Sequence, residues 1–142
     1  MRDMHDNLSP VTSLDPLLRT ADANGSSADL RGYEGAMVVA HVGAEGDTLS
    51  GSLYIEFEVE ESDDDSAWTD VANADLLGFV AGTNTGTFAK IDAAAEAPAI
   101  YRASYIGNKR YIRIVENVTG THTNGTSTGA LIIRGLPHYA PV

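Results

Sequence analysis

The chain of 142 residues contains no cysteine. This excludes disulfide scaffolds, thiolate zinc sites and cysteine nucleophiles together, and leaves packing or association as the sources of stability. Basic residues are scarce as well: nine Lys and Arg stand against twenty Asp and Glu, for a net charge of −11. A nucleic-acid partner has the wrong sign, because such proteins gain affinity by neutralising phosphates with Lys and Arg. An anionic membrane surface is disfavoured by the same charge. Long apolar runs are missing. The first twenty residues carry Leu8, Val11, Leu14, Leu17 and Leu18, but Asp and Pro interrupt them. Neither a secretory h-region nor a membrane span is expected, and the chain is expected to be made in, and soluble in, the cytosol. No Gly-x-Gly-x-x-Gly run or other phosphate-cradling loop is present.

What is present is enough apolar material for a core. Hydrophobic residues make up 43% of the chain and charged ones only 20%, so the acidity does not imply disorder. The length suits one domain. Residues 1–30 differ from the rest, with Pro10, Pro16, scattered leucines and a polar stretch ending at Asn24-Gly25. They are expected to form an extended N-terminal arm that ends in a turn, either folded along its own domain or laid on a neighbour, with the domain proper over 31–142.

After Gly35 the pattern becomes one of short apolar runs punctuated by Gly, Asn and Asp, as in an all-β chain. Met37 to Val42 is expected as a strand buried on both faces. Leu53, Ile55, Phe57 and Val59 alternate with Tyr54, Glu56, Glu58 and Glu60, which predicts a strand with one wet face. Ile100–Ile106 and Arg110–Val115 flank Gly107-Asn108-Lys109, the pattern of a hairpin whose turn uses positive φ. Ala130–Arg134 is the expected last strand, and the prolines after it should end its pairing. Seven or eight short strands without a long helix predict a single antiparallel β-sandwich of jelly-roll or immunoglobulin-like type.

No spacing points to catalysis. Glu56, Glu58 and Glu60 share a strand face at a separation that glycosidase chemistry uses, but a solvated face is the simpler expectation. Asp63-Asp64-Asp65 lacks the alternating order of an EF-hand loop and is expected as a polar turn. His41, His122 and His138 are far apart in sequence and in unlike contexts. Trp68 is expected as a core plug, because its area dominates a small core. No catalytic residue, metal or other cofactor is expected. The one concentration of interface-type residues is Tyr101, Tyr105 and Tyr111 with Arg102, Arg110, Arg113 and Lys109.

Three segments carry a resemblance: Asn24-Gly25 through Gly32-Tyr33-Glu34-Gly35-Ala36-Met37-Val38-Val39, then Phe57 to Val71, then Tyr105-Ile106-Gly107-Asn108-Lys109-Arg110-Tyr111-Ile112-Arg113. Together they resemble small virion proteins of tailed bacteriophages and related gene transfer agents: head decoration, cement or spike-base proteins. The resemblance implies a non-enzymatic module on the virion's capsid exterior, binding the major capsid protein and its own copies, most simply as a trimer. Leu8, Leu14, Leu17 and Leu18 of the arm, Glu34, and Tyr105, Lys109, Arg110 and Tyr111 are then the expected capsid or oligomer contacts. A spike base or tail protein, with a head fibre or spike protein as partner, and a carbohydrate-binding adhesive module using Trp68 are the alternatives.

Overall fold

The computed structural model describes residues 3–142. Eleven strands carry nearly all the regular structure, and the helical elements among the described residues are three short 3-10 turns. The strands are β1 (Leu8–Arg19), β2 (Ala23–Asn24), β3 (Ala28–Asp29), β4 (Tyr33–Val42), β5 (Tyr54–Ser62), β6 (Thr69–Asp70), β7 (Leu76–Leu77), β8 (Thr87–Ile91), β9 (Ala99–Tyr105), β10 (Tyr111–Thr119) and β11 (Thr126–Pro137). One sheet has the order β1-β11-β4-β9-β7; the second runs β2-β10-β5-β6, with β3 also on β10 and β8 on β5. Every pairing is antiparallel. The expected all-β sandwich is therefore what forms.

The period-two pattern sets the core. Ala36, Val38, Ala40 and Val42 of β4 point inward, opposite Ile55, Phe57 and Val59 of β5, with Ile112 and Ile114 of β10 and Ile132 of β11 filling the space between. Phe57 heads the fully buried side chains by size. Trp68, expected as the core plug, lies instead half-buried outside the core cluster, with the Arg113 guanidinium 4.5 Å from its ring centre. A short polar turn before it leaves the ring on the outer face of the second sheet, where a cation covers one side of it.

Several expectations about pairing are corrected. Of the two courses open to the arm, residues 8–19 take the one along their own domain: β1 is zipped along β11 from Leu8↔Gly135 to Arg19↔Thr126. Ser13 then ties β1 to the second sheet. Its hydroxyl donates to the Ser26 carbonyl at 2.8 Å and accepts the Ile114 amide at 3.0 Å. Asn24-Gly25 is not a free turn, since Asn24 pairs with Val115 and the Gly25 amide donates to the Ile114 carbonyl. A Cβ on Gly25 would collide with the Ser13 hydroxyl and lie 2.5 Å from the Ile114 carbonyl oxygen, so only glycine lets the chain pass there.

The expected hairpin is a crossover. β9 belongs to the first sheet and β10 to the second, so Gly107-Asn108-Lys109 spans the edge of the sandwich, and neither Gly107 nor Asn108 takes positive φ. Met37–Val42 is buried on one face only, with His41 exposed. β11 begins before Ala130 and continues to Pro137, which pairs with Tyr33. The face of β5 expected to be wet is largely covered: Glu56 and Glu58 are buried. The Thr83 amide donates to the Glu56 carboxylate at 3.2 Å and Lys90 Nζ stands 3.8 Å from it, so the chain before β8 folds over this face.

Candidate interaction face

The register of the first sheet determines what it shows to solvent. Residues paired across antiparallel strands share a face, so the outward rows read Pro10, Ile133, Met37, Ser104, Leu77 and, next to it, Thr12, Leu131, Val39, Arg102. Ile100 follows in the third row, opposite His41. Leu77, Ile100, Ile106, Leu131 and Leu136 all count among the exposed large hydrophobics. Apolar residues scattered singly on a surface need no explanation, but a contiguous sheet face of them marks a contact surface. Its charges are few, Arg102 and His41 being the ionisable residues in those three rows.

At the end of this face two grooves meet. One, of about 360 Å³, is apolar and runs among Leu8, Met37, Ile106, Ile133 and Leu136, with Glu34 and Tyr105 at its border. The other, of about 370 Å³, is lined by Glu34, Tyr105, Lys109, Arg110 and His138 among others. The strand crossing from β9 to β10, the turn before β4 and the end of β11 thus bring five of the expected contact residues together: Leu8, Glu34, Tyr105, Lys109 and Arg110. Leu17 and Leu18 are exposed at the other end of β1.

Three expected contacts have other roles. Leu14 is 3% exposed and part of the core, so it cannot meet a partner. Tyr105 is also 3% exposed. Its hydroxyl donates to Glu61 Oε2 at 2.6 Å and accepts the Lys109 amide at 3.0 Å, and burial with the Glu61 carboxylate raises its pKa. Tyr105→Phe removes both bonds and leaves a carboxylate and an amide short of partners; a loss of about 1–3 kcal/mol in a urea titration is the expected result. Tyr111 sits half-buried with Arg110 stacked 4.7 Å from its ring centre.

Arg110, Lys109 and Arg113 are committed internally. Arg110 forks onto Asp29 with Nε–Oδ1 at 3.1 Å and Nη2–Oδ2 at 2.8 Å, which holds the Asp29 carboxyl down at about 2. Lys109 pairs with Asp63 and Arg113 with Glu60, each at 2.5 Å. Asp64 closes the acidic turn on itself, accepting the Ser66 and Ala67 amides and the Ser62 hydroxyl. Outward-facing Arg102 pairs with no carboxylate among the described residues.

The sequence signal for the apolar face was the character of Met37, Val39, Leu131 and Ile133 as apolar residues on both phases of their strands. For Met37–Val42 it read as burial on two sides, whereas one of those sides faces solvent. No family model matches this chain, and no curated protein matches it.

Proposed function

We propose that this protein is a structural binding module, a capsid decoration protein that seats the outer face of its first sheet on the major capsid lattice and stabilises the expanded head. The observation that carries the reading is that apolar sheet face, Met37, Val39, Leu131 and Ile133 with the grooves at its end, on a chain whose charge is otherwise strongly negative. A surface of that kind gains free energy by leaving water, while the −11 charge keeps unassembled copies soluble and apart. Binding that occurs only on the expanded shell stabilises it by mass action. The likeness of the three sequence segments to phage decoration and cement proteins supplies the partner. Trp68 favours the adhesive alternative less, because Arg113 occupies one face of its ring.

The test is to incubate the purified protein with expanded capsids lacking it, sediment the particles and count bound copies. Saturable binding of hundreds of copies per shell with a raised capsid melting temperature is the expected result. A few dozen copies would reassign it to a vertex, spike base or tail, and no binding would refute the reading. Leu131→Glu should weaken binding at least about 100-fold by burying an unpaired charge in the contact. Ala67→Glu, which adds the same charge at an exposed position in the β5–β6 turn, should leave binding unchanged.

A further inference from the structure

We infer that Glu58, Glu60 and Asp70 form a binding site for a hard divalent cation of the calcium class on the outer face of the second sheet. Strand geometry puts them together: Glu58 and Glu60 are two apart on β5 and so share a face, and Asp70 of β6 is the register partner of Glu60. Each offers one carboxylate oxygen, and the three oxygens lie within 4.8 Å of one another. That spacing matches oxygens around one ion at calcium–oxygen distances of about 2.3–2.6 Å.

Acidic clusters are common on surfaces; this one contains a buried carboxylate with one oxygen that lacks a partner. Glu58 is only 3% exposed, and its Oε2 is enclosed without a hydrogen bond. A buried charge left in that state is costly unless it is paired or coordinates a metal. The cation at hand, Arg113, is already used: its Nε binds Glu60 Oε2 at 2.5 Å and its guanidinium lies over Trp68. Three carboxylates and one guanidinium sum to −3 + 1 = −2, which a divalent ion cancels. Asp70 is exposed, so the cluster opens to solvent on one side and an ion can enter with part of its water.

The experiment is titration of the chelator-treated protein with calcium chloride at pH 7, in a constant magnesium background, read by calorimetry and by the melting temperature. Saturable binding of one ion with a rise in melting temperature of about 5 °C is the expected result. Glu58→Gln and Asp70→Asn should each weaken binding at least about tenfold, while Asp64→Asn in the neighbouring acidic turn should bind as the native protein does. Asp70 is exposed, so its variant carries the test if Glu58→Gln does not fold. Absence of heat and of any melting shift at millimolar calcium would overturn the site, as would tight binding to Glu58→Gln. Stabilisation by acid alone, without a calcium response, would assign the cluster a shared proton in place of the ion and would overturn it equally.

Discussion

Deletion of residues 1–20 is expected to abolish cooperative folding. Without β1, the β11 edge from Thr126 to Gly135 loses its outer partner and presents a long unpaired strand to solvent, which favours aggregation. Leu14 leaves the core, a loss of about 2–5 kcal/mol by itself. The Ile114 amide and the Ser26 carbonyl lose the Ser13 hydroxyl, at about 1–3 kcal/mol for each buried group left unsatisfied. Against a typical total of about 5–15 kcal/mol these losses are decisive. Circular dichroism melting and size-exclusion chromatography check it: a soluble, sharply melting truncated monomer would show that β1 is dispensable. Leu17→Ser and Leu18→Ser, at exposed positions of the same strand, should leave the melting temperature unchanged. If they weaken capsid binding instead, the segment's structural and contact roles lie on different residues of one strand.

Glu116→Gln is expected to stabilise the protein at neutral pH by about 2 kcal/mol. Glu116 is fully buried between the sheets; the Thr128 hydroxyl donates to its Oε2 at 2.7 Å, Arg19 Nε lies 3.6 Å away, and Oε1 has no partner. Burial outweighs the Thr128 bond and the Arg19 charge and pushes the carboxyl up to about 6 from an ordinary 4.5. The folded state therefore binds the proton more tightly than the unfolded one. The resulting stabilisation is full below about pH 4.5 and is lost as pH rises through 6; 1.5 pH units at about 1.4 kcal/mol each give the 2 kcal/mol. Gln retains the shape without the charge, and Arg19 keeps the Thr128 and Asp15 carbonyls as acceptors. Melting temperatures between pH 4.5 and 7.5 should fall for the native chain and stay flatter for the variant, with a difference of about 6 °C at the upper end. Glu58, raised in the same direction by burial, leaves a residual slope. Equal slopes for native and variant would show that Glu116 is ionised at little cost.

Two of the buried glutamates, Glu116 and Glu58, illustrate why composition is a poor guide to where charge sits. Glu116 lies on the inward phase of β10, opposite Phe57, in a position that its neighbours Ile114 and Val118 would suggest for an apolar residue. Glu58 lies on the outward phase, as its spacing predicts, but the segment before β8 folds over that phase. In one case the strand period is broken by a polar residue; in the other the period holds and tertiary packing changes its meaning.

What the sequence by itself determined is the class of fold and the inward phase of β5. Glycine- and Asn-rich breaks, the absence of helical periodicity and the alternation of Leu53 to Glu60 depend on local steric and solvation preferences, and these act before any distant contact forms. Strand partnership was decided only by the tertiary structure. β4 and β5, β9 and β10, and β10 and β11 follow one another in the chain yet lie in opposite sheets, while β1 finds β11 more than a hundred residues away. A turn such as Gly107-Asn108-Lys109 allows a reversal, but whether the next strand pairs with the last or crosses to the facing sheet depends on which apolar faces must be closed. That choice turned Leu8–Arg19 from an arm into an edge strand and Tyr105 from a contact into a core residue. It also left the outer face of the first sheet apolar and open, because only packing of the whole sandwich settles which of a strand's two apolar phases is covered.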